Sequence, residues 1–353
     1  VLFGGYDTGS GRTWEWNGAS GVWVPRSGIG PIARYGHSMA YDSARGVTVL
    51  FGGNEPDTGE YLGDTWEWDG TAGTWTQRAS TGPSARCAHA MAYDSARNVT
   101  VLFGGYGSGS AFLGNTWEWN GTAGTWTQRS STGPSPRCNH TMTYDSARNV
   151  TVLLGGAGET GWRSDLWEWN GTTGTWAEQP STGPAARRSH SMAYDSDRGV
   201  MVLFGGYGGG SEFLGDTWEL DRTAGTWVQR ANTGATDRFG HAMTYDSLHS
   251  VAVMFGGYEY EAGRAPAGDT WTWDGLTWTQ QATTGPSQRA ESAMVFDDAR
   301  GVAVMFGGYS YDSGTQTVTY FDDTWEWDGT TWTLRATSGP ESRRRHAMAY
   351  DSA

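Results

Sequence analysis

An arginine recurs at the same position of seven repeated segments, and the seven side chains could together bind an anion. They lie about fifty residues apart and are Arg34, Arg86, Arg137, Arg187, Arg238, Arg289 and Arg343. Converging guanidinium groups bind carboxylate or sulfate through paired hydrogen bonds. An acidic residue follows most of these arginines at a similar distance, namely Asp64, Asp165, Asp216, Asp269 and Asp323. Because the arginine is present in every copy, we favour a structural ion pair with these carboxylates.

A histidine follows six of the arginines by three residues, and the chemistry it offers is metal binding. These are His37, His89, His140, His190, His241 and His346, with Ser292 in the remaining copy. Cys87-Ala-His89 and Cys138-Asn-His140 place sulfur and nitrogen on one strand face, as a Cys2His2 zinc site needs. Each histidine is also in register with apolar Met and Tyr, which favours a packed, hydrogen-bonded ring. Cys87 and Cys138 are the only cysteines, and a bridge or two free thiols are both open.

Aromatic and variable residues near these positions are candidate ligand contacts. A tyrosine follows most Gly-Gly pairs, at Tyr6, Tyr106, Tyr207, Tyr258 and Tyr309, with Asn54 and Ala157 in the other copies. Such rings suit sugar faces or peptide side chains, and plain packing is the alternative. The residue after each arginine varies in chemistry, through Tyr35, Cys87, Cys138, Arg188, Phe239, Ala290 and Arg344. With Arg345, the arginines among them would form a local basic spot; Trp162 and Arg163 lie in a further variable loop.

Four short strands must position these residues in each copy. In the third copy, alternation of apolar and small residues predicts strand A at His89–Asp94, followed by a β-branched strand B at Val99–Phe103. Strand C is expected at Asn115–Trp119 and strand D at Gly124–Arg129, with Asn120-Gly121 opening a hairpin turn at positive φ. One antiparallel sheet per copy follows.

The copies form an array that spans the chain. Seven Gly-Gly pairs mark the period, at Gly4-Gly5, Gly52-Gly53, Gly104-Gly105, Gly155-Gly156, Gly205-Gly206, Gly256-Gly257 and Gly307-Gly308. Sheets that are apolar on both faces must be packed between copies of themselves, and radial repetition of four-stranded sheets gives a β-propeller. The chain starts in a strand B without a strand A and ends in a strand A without a strand B. We therefore expect the two ends to pair.

An apolar run ending in Gly-Gly, then a Tyr, a Trp in strand C and a Trp in strand D, at this period, resembles the kelch repeat. The resemblance covers the whole chain and implies an all-β fold, a seven-bladed propeller in one domain, 1–353. Its first blade would combine 343–353 with 1–33, and the others would be 34–85, 86–136, 137–186, 187–237, 238–288 and 289–342. In kelch propellers strand A lines the central channel, and partners usually bind the face that carries the B–C and D–A loops.

Loop lengths agree with a site on that face. The A–B hairpin is constant, with ten residues from Asp94 to Gly104 and the same spacing in other copies. The B–C loop instead grows from nine residues between Gly5 and Trp14 to seventeen between Gly308 and Trp325. Loops on a rigid scaffold commonly carry function, so we expect ligand contacts there rather than on the uniform opposite side.

The amino-acid composition limits the classes of binding partner that we expect. The net charge is −14, and all 24 basic residues are Arg, which argues against nucleic acid or anionic membrane as the main partner. No run of about 18 apolar residues is present, so membrane insertion is not expected. The acidic loops 55–64 and 312–323 offer oxygen ligands for Ca²⁺, but without EF-hand spacing, and solvated loops are favoured.

We therefore expect a non-catalytic binding module without a cofactor, extracellular or at the cell surface of a bacterium, that recognises a protein or a glycan. It would be part of a larger chain. The alternatives are a structural spacer in a surface protein, or a sugar-acid isomerase. Some kelch propellers epimerise sialic acid with Arg and carboxylates, and Glu291 and Arg345, each unique in its copy, keep that alternative open. The ligand pattern of the copper radical oxidases of this fold is not identifiable.

Overall fold

The computed structural model of the protein describes residues 1–5, 11–26, 28–180, 183–221, 225–230, 234–259, 265–281 and 284–350. In these ranges the secondary structure is β throughout, apart from one 3-10 turn at Ser108–Ser110. No helix in them has the length and apolar character that crossing a bilayer requires.

The strands fall into four recurring types and a set of shorter ones. Strand A is found at Ser38–Asp42, Ala90–Asp94, Thr141–Asp145, Ser191–Asp195, Ala242–Asp246, Ala293–Asp297 and Ala347–Met348. Strand B is found at Leu2–Phe3, Val47–Phe51, Val99–Phe103, Val150–Leu154, Val200–Gly208, Val251–Phe255 and Val302–Phe306. Strand C is found at Thr13–Asn17, Thr65–Asp69, Thr116–Asn120, Leu166–Asn170, Phe213–Asp221, Thr270–Trp273 and Thr324–Trp327. Strand D is found at Val22–Arg26, Thr74–Ala79, Thr125–Ser130, Thr175–Glu178, Thr226–Gln229, Trp278–Gln280 and Trp332–Ala336. The shorter strands are Arg86–Cys87, Tyr106–Gly107, Ala111–Phe112, Ala157–Gly158, Gly161–Trp162, Arg187–Arg188, Arg238–Phe239, Tyr258–Glu259, Tyr309–Asp312 and Thr317–Tyr320.

The chain divides into two compact units. Unit 1 comprises Val1–Thr13, Arg26–Ser181 and Ala347–Ala353, and unit 2 comprises Trp14–Pro25 and Thr182–His346. Repeats two to four in unit 1 and five to seven in unit 2 each form an antiparallel sheet with the strand order D-C-B-A. Within unit 1, Leu2 is paired with Met348 and Phe3 with Ala347, so the first strand B lies beside the last strand A.

Strand B is the centre of each core because its side chains are apolar on both faces. In repeat two, Val49, Leu50 and Phe51 have no exposed surface. Strand C adds a fully buried tryptophan, such as Trp68 or Trp119, which supplies a large apolar area per residue. The predicted strands of repeat three match the observed ones to within a residue at either end.

In the turns, positive φ is found at residues that adopt it with little strain, mostly glycine. Gly52 and Gly53 have φ of 66° and 108°, and a Cβ on Gly52 would lie 2.6 Å from the Arg86 carbonyl oxygen, so the Gly-Gly pair is required as predicted. The C–D turn differs from the prediction. Asn120 stays in strand C and accepts a hydrogen bond from the Ala123 amide, while the positive φ falls later, at Gly124.

Tryptophan side chains hydrogen-bond from one repeat to the preceding one. The strand D indole donates to the first Thr of the preceding strand C, as in Trp126 to Thr65 at 2.7 Å. The second strand C indole donates to the preceding Glu, as in Trp119 to Glu67 at 2.9 Å. Equivalent bonds recur within each unit, so many buried indole N–H groups of one repeat are satisfied by its neighbour, whereas those of Trp227 and Trp327 have no partner among the described residues.

Candidate functional site

The recurring arginines are buried and engaged within their own repeats. Five make ion pairs with the carboxylates named from the sequence, Arg34–Asp64, Arg137–Asp165, Arg187–Asp216, Arg238–Asp269 and Arg289–Asp323, at 2.5–2.6 Å. Each guanidinium also donates to the carbonyl of the first Gly of its own Gly-Gly pair, as Arg34 does to Gly52 at 2.9 Å. Burial alone would raise the pKa of Asp64, but the hydrogen bonds and charge of Arg34 outweigh it and lower that pKa. These five arginine–aspartate pairs therefore stabilise the fold, and they are not arranged as an anion-binding site.

Repeat three lacks the carboxylate and shows what it contributes. Arg86 has no exposed surface and donates to the Asn115 side-chain oxygen at 2.9 Å. Burial lowers the pKa of Arg86 to about 10. Among the described residues, the buried Trp117 indole N–H has no hydrogen-bond partner, whereas Trp66 donates to Asp64 at 2.6 Å in the equivalent position of repeat two.

A small second sheet or bridge lies at the B–C and D–A end of repeats two, three, four, six and seven, and in repeat five the same pairing continues the main sheet. The sequence did not predict this pairing. The residue after the arginine pairs with the residue after Gly-Gly, as Cys87 does with Tyr106 and Arg188 with Tyr207. A third segment, the returning B–C loop, completes it, as Phe112 does opposite Tyr106. The residue after the arginine and the residue after Gly-Gly, both candidate ligand contacts from the sequence, are thus paired directly in the backbone.

In unit 2 these small sheets bring six aromatic rings into a continuous contact network, which we call the aromatic row. Its members are Tyr207, Phe213, Phe239, Tyr258, Tyr309 and Tyr320. Phe239 stacks on Tyr258 with ring centroids 5.4 Å apart, and Tyr258 meets Tyr309 edge-on at 5.7 Å. Burial raises the pKa of the Tyr258 hydroxyl well above its ordinary value. Tyr258 is therefore a buried support of the row rather than the exposed contact that the sequence indicated.

Arginines lie against both ends of the aromatic row. The Arg188 guanidinium is 5.4 Å from the centroid of the Tyr207 ring, and that of Arg344 is 4.2 Å from the centroid of Tyr309. Glu291 accepts two hydrogen bonds from the exposed Arg345 at 2.9 Å each, and one from Arg344 at 3.5 Å. Because Glu291 is held by two arginines, it is not the unpaired carboxylate that an isomerase would need there.

The candidates in unit 1 form smaller groups. The Tyr106 ring contacts Tyr61 and Phe112 at centroid distances of 6.2 and 5.1 Å. Tyr35 forms a backbone bridge with Asn54. Trp162 pairs with Ala157, and Arg163 donates to the Thr160 hydroxyl at 2.9 Å. Tyr6 lies outside the described residues.

Comparison with known proteins identifies the repeat. Residues 77–237 match the family model of the KLHDC2/KLHL20/DRC7 Kelch-repeats domain. This match identifies residues 77–237, somewhat less than half of the chain, as kelch repeats. Kelch repeats generally serve as protein-binding modules. A comparison with curated proteins found no match.

The second residue after each recurring arginine has a left-handed backbone conformation, with positive φ. The position is glycine only at Gly36 and Gly240; Ala88, Asn139, Ser189, Glu291 and Arg345 adopt φ of 53–55°. In unit 2 the Gly240 amide donates to the Ser189 carbonyl, and the Glu291 amide to the Gly240 carbonyl, at 3.1 and 2.8 Å. Non-glycine residues in this region cost free energy and need support from their surroundings. These backbone hydrogen bonds between neighbouring repeats supply that support, and they fix Glu291 at the B–C and D–A end of unit 2.

The recurring histidines are buried, and His241 shows how such a ring is packed. His241 contacts Phe204 edge-on at 5.6 Å, and neither of its ring nitrogens has a hydrogen-bond partner within the described part of the chain. Burial, with a smaller effect of the Arg238 charge, lowers the pKa of His241 to about 3. The His241 ring is therefore a neutral part of the core.

The remaining metal candidates are dispersed. Over the described ranges, no three His, Cys, Asp or Glu side chains are grouped so that they could hold a metal ion. Cys87 and Cys138 are free thiols, and burial raises the pKa of Cys87 to about 11. In the two acidic loops, Glu55 accepts from the Thr58 hydroxyl, and Asp312 accepts from the amides of its own turn.

Proposed function

We propose that this chain is a non-catalytic protein-binding module whose partner docks on the B–C and D–A face of unit 2. The aromatic row with Arg188 and Arg344 at its ends carries the proposal. Tyrosine and arginine are the residues that most often dominate binding energy in protein interfaces, because they combine a large apolar area with a polar or charged group.

The longest B–C loop extends this surface. Tyr309–Asp312 and Thr317–Tyr320 form a hairpin in which Tyr311 lies opposite Val318. These two side chains are 38% and 44% exposed, so the hairpin presents a tyrosine and a valine to solvent, next along its ladder from the Tyr309 and Tyr320 rings that Arg344 contacts. An exposed apolar pair rimmed by charge fits a protein surface better than an isolated small molecule.

We also propose that the seven repeats close into a seven-bladed kelch propeller. Two observations support it. Each repeat carries the same strand order, and the first strand B pairs with the last strand A. Such pairing places the first strand B between strands A and C, so that it is not a free edge.

The test uses peptides selected from a displayed library on the folded chain, followed by affinity measurements on variants. Tyr311→Ala and Arg345→Ala should each weaken the selected peptides by about tenfold or more, as expected for interface hot spots. Leu276→Ala is the matched control, because Leu276 is 78% exposed on a C–D turn of the same unit. Equal losses in Leu276→Ala, or none in the other two variants, would contradict the proposed face. A glycan array run in parallel would contradict a protein partner if it alone gave hits that Tyr311→Ala removes.

A further inference from the structure

A cavity at the opposite end of unit 2 is not explained by protein binding on the aromatic row. It measures about 320 Å³ and lies along the strand A segments of repeats five, six and seven. Its walls include two thioethers and three aromatic rings, from Met192, Tyr194, Met243, Tyr245 and Phe296, and the Asp298 carboxylate. A volume of this size admits one small ligand or one long side chain.

Comparison among the repeats shows that one carboxylate in the wall of this cavity, Asp298, and one beside it, Asp197, are absent from repeats two to four. Repeats two to four read Tyr-Asp-Ser-Ala at the end of strand A, as in 41–44 and 93–96. Repeat seven has Asp298 in place of the Ser, and repeat five has Asp197 in place of the Ala. The other copies thus act as internal controls, and this end of unit 2 is not the uniform surface that the constant hairpin length indicated.

Neither added carboxylate is neutralised by a cation. Asp298 accepts a hydrogen bond from the Ser247 hydroxyl at 2.7 Å. Asp197 accepts from the Tyr245 hydroxyl at 3.0 Å and the Ser250 hydroxyl at 2.5 Å. The described residues provide no ion pair to either, whereas the recurring Asp195 is paired with Arg198. Negative charge is therefore available beside a cavity with aromatic walls.

We propose that this cavity binds a primary ammonium group on an apolar stem. The carboxylate would accept hydrogen bonds from the ammonium, the hydroxyls of Ser196 and Ser247 would offer further acceptors, and the stem would lie against the methionines and rings. The same chemistry is found in a free alkylamine and in a lysine side chain of a peptide.

Calorimetric titrations with 1,6-diaminohexane and with the uncharged 1,6-hexanediol test the site. The diamine should bind saturably and the diol should not. Asp298→Ser and Asp197→Ala restore residues found in other repeats. The double variant should bind the diamine with an affinity lower by about tenfold or more. Asp57→Ser, an exposed site in unit 1 with the same change of charge, should leave binding unchanged.

The outcomes separate the source of the cation and the validity of the site. A blocked lysine-containing tetrapeptide that binds more tightly than the diamine, and loses affinity in the double variant, indicates a peptide ligand; the reverse order indicates a free amine. Absence of saturable binding by both probes overturns the proposal. So does equal binding of the diol, or an equal loss in Asp57→Ser. Because Tyr311 and Arg345 lie on the other surface, Tyr311→Ala and Arg345→Ala should not change diamine affinity, so this test and that of the aromatic row fail independently.

Discussion

Replacing Asn115 with Asp should stabilise repeat three, because the other repeats show two bonds that Asn115 cannot make. In repeat four, Asp165 accepts from Arg137 through one oxygen and from both Arg137 and Trp167 through the other. In repeat three, Asn115 accepts from Arg86 through its one side-chain oxygen, and the Trp117 N–H has no acceptor in the part of the chain that the structure describes. An aspartate would supply the missing second oxygen.

The expected gain follows from the strength of these bonds. A hydrogen bond to a charged group contributes about 1.5–3 kcal/mol, and two are added here. Desolvation of the new carboxylate offsets part of this gain, although the equivalent Asp64 and Asp165 side chains keep 22% exposure. We expect a net increase of about 2 kcal/mol in the free energy of unfolding, which for a chain of this size is about 3 °C in Tm.

Urea unfolding and thermal melts of Asn115→Asp measure the gain, and Asp165→Asn should show a loss of similar size. In five repeats the carboxyl pKa is lowered in the folded state, so its contribution is present above the unfolded pKa, near 3.8, and is lost as the pH falls through the folded pKa. The advantage of Asn115→Asp should therefore be present at pH 7 and disappear in strong acid. A neutral or destabilising Asn115→Asp at pH 7, with Asp165→Asn also neutral, would refute the reasoning.

Two further changes probe the core and the backbone. Burial lowers the pKa of His241 from 6.5 to about 3, so between these values the unfolded state binds a proton that the folded state does not. Stability should fall by about 1.4 kcal/mol per pH unit below 6.5 for this residue, and His241→Ser should reduce that slope in urea titrations at pH 7 and 5; an unchanged slope would contradict it. Ala88→Gly should raise the free energy of unfolding by about 1 kcal/mol, because Ala88 has a φ of 53°, whereas Ala90→Gly in strand A should lower it by a similar amount. Loss of stability in both would refute the backbone argument.

The main strands were predictable because their signals are local. Alternating residues in strand A and the β-branched strand B indicate their own conformation, and the Gly-Gly pair ends strand B at positive φ. The C–D turn was misjudged because Asn-Gly is typical of a two-residue turn. Here Asn120 caps a longer turn with its side chain, and Gly124 adopts the left-handed conformation instead.

The small sheets at the B–C and D–A end were missed because two-residue strands carry no alternation. A signal was nevertheless present. Three residues before the ion-pairing Asp, or before Asn115, five repeats carry an aromatic residue, at Tyr61, Phe112, Trp162, Phe213 and Tyr320. Aligning the repeats on that Asp, rather than counting loop lengths, would have placed these rings opposite the tyrosine after Gly-Gly.

The cavity was missed for a related reason. Equal hairpin lengths conceal the substitutions at Asp197, Phe296 and Asp298, since none changes the number of residues. Their significance depends on three strands lying side by side, which becomes visible only when the lining of the cavity is known.

The indole hydrogen bonds between neighbouring repeats restrict how such a gene can change its length. Most indoles at these positions find their acceptor about one period earlier in the chain, as Trp176 does at Thr116 and Trp169 does at Glu118. Adding or removing one whole copy keeps these donors in register with their acceptors, whereas a break inside a copy leaves a buried N–H without its acceptor. Evolution of the array should therefore proceed in whole copies, and recombination between copies should be tolerated best where their boundaries coincide.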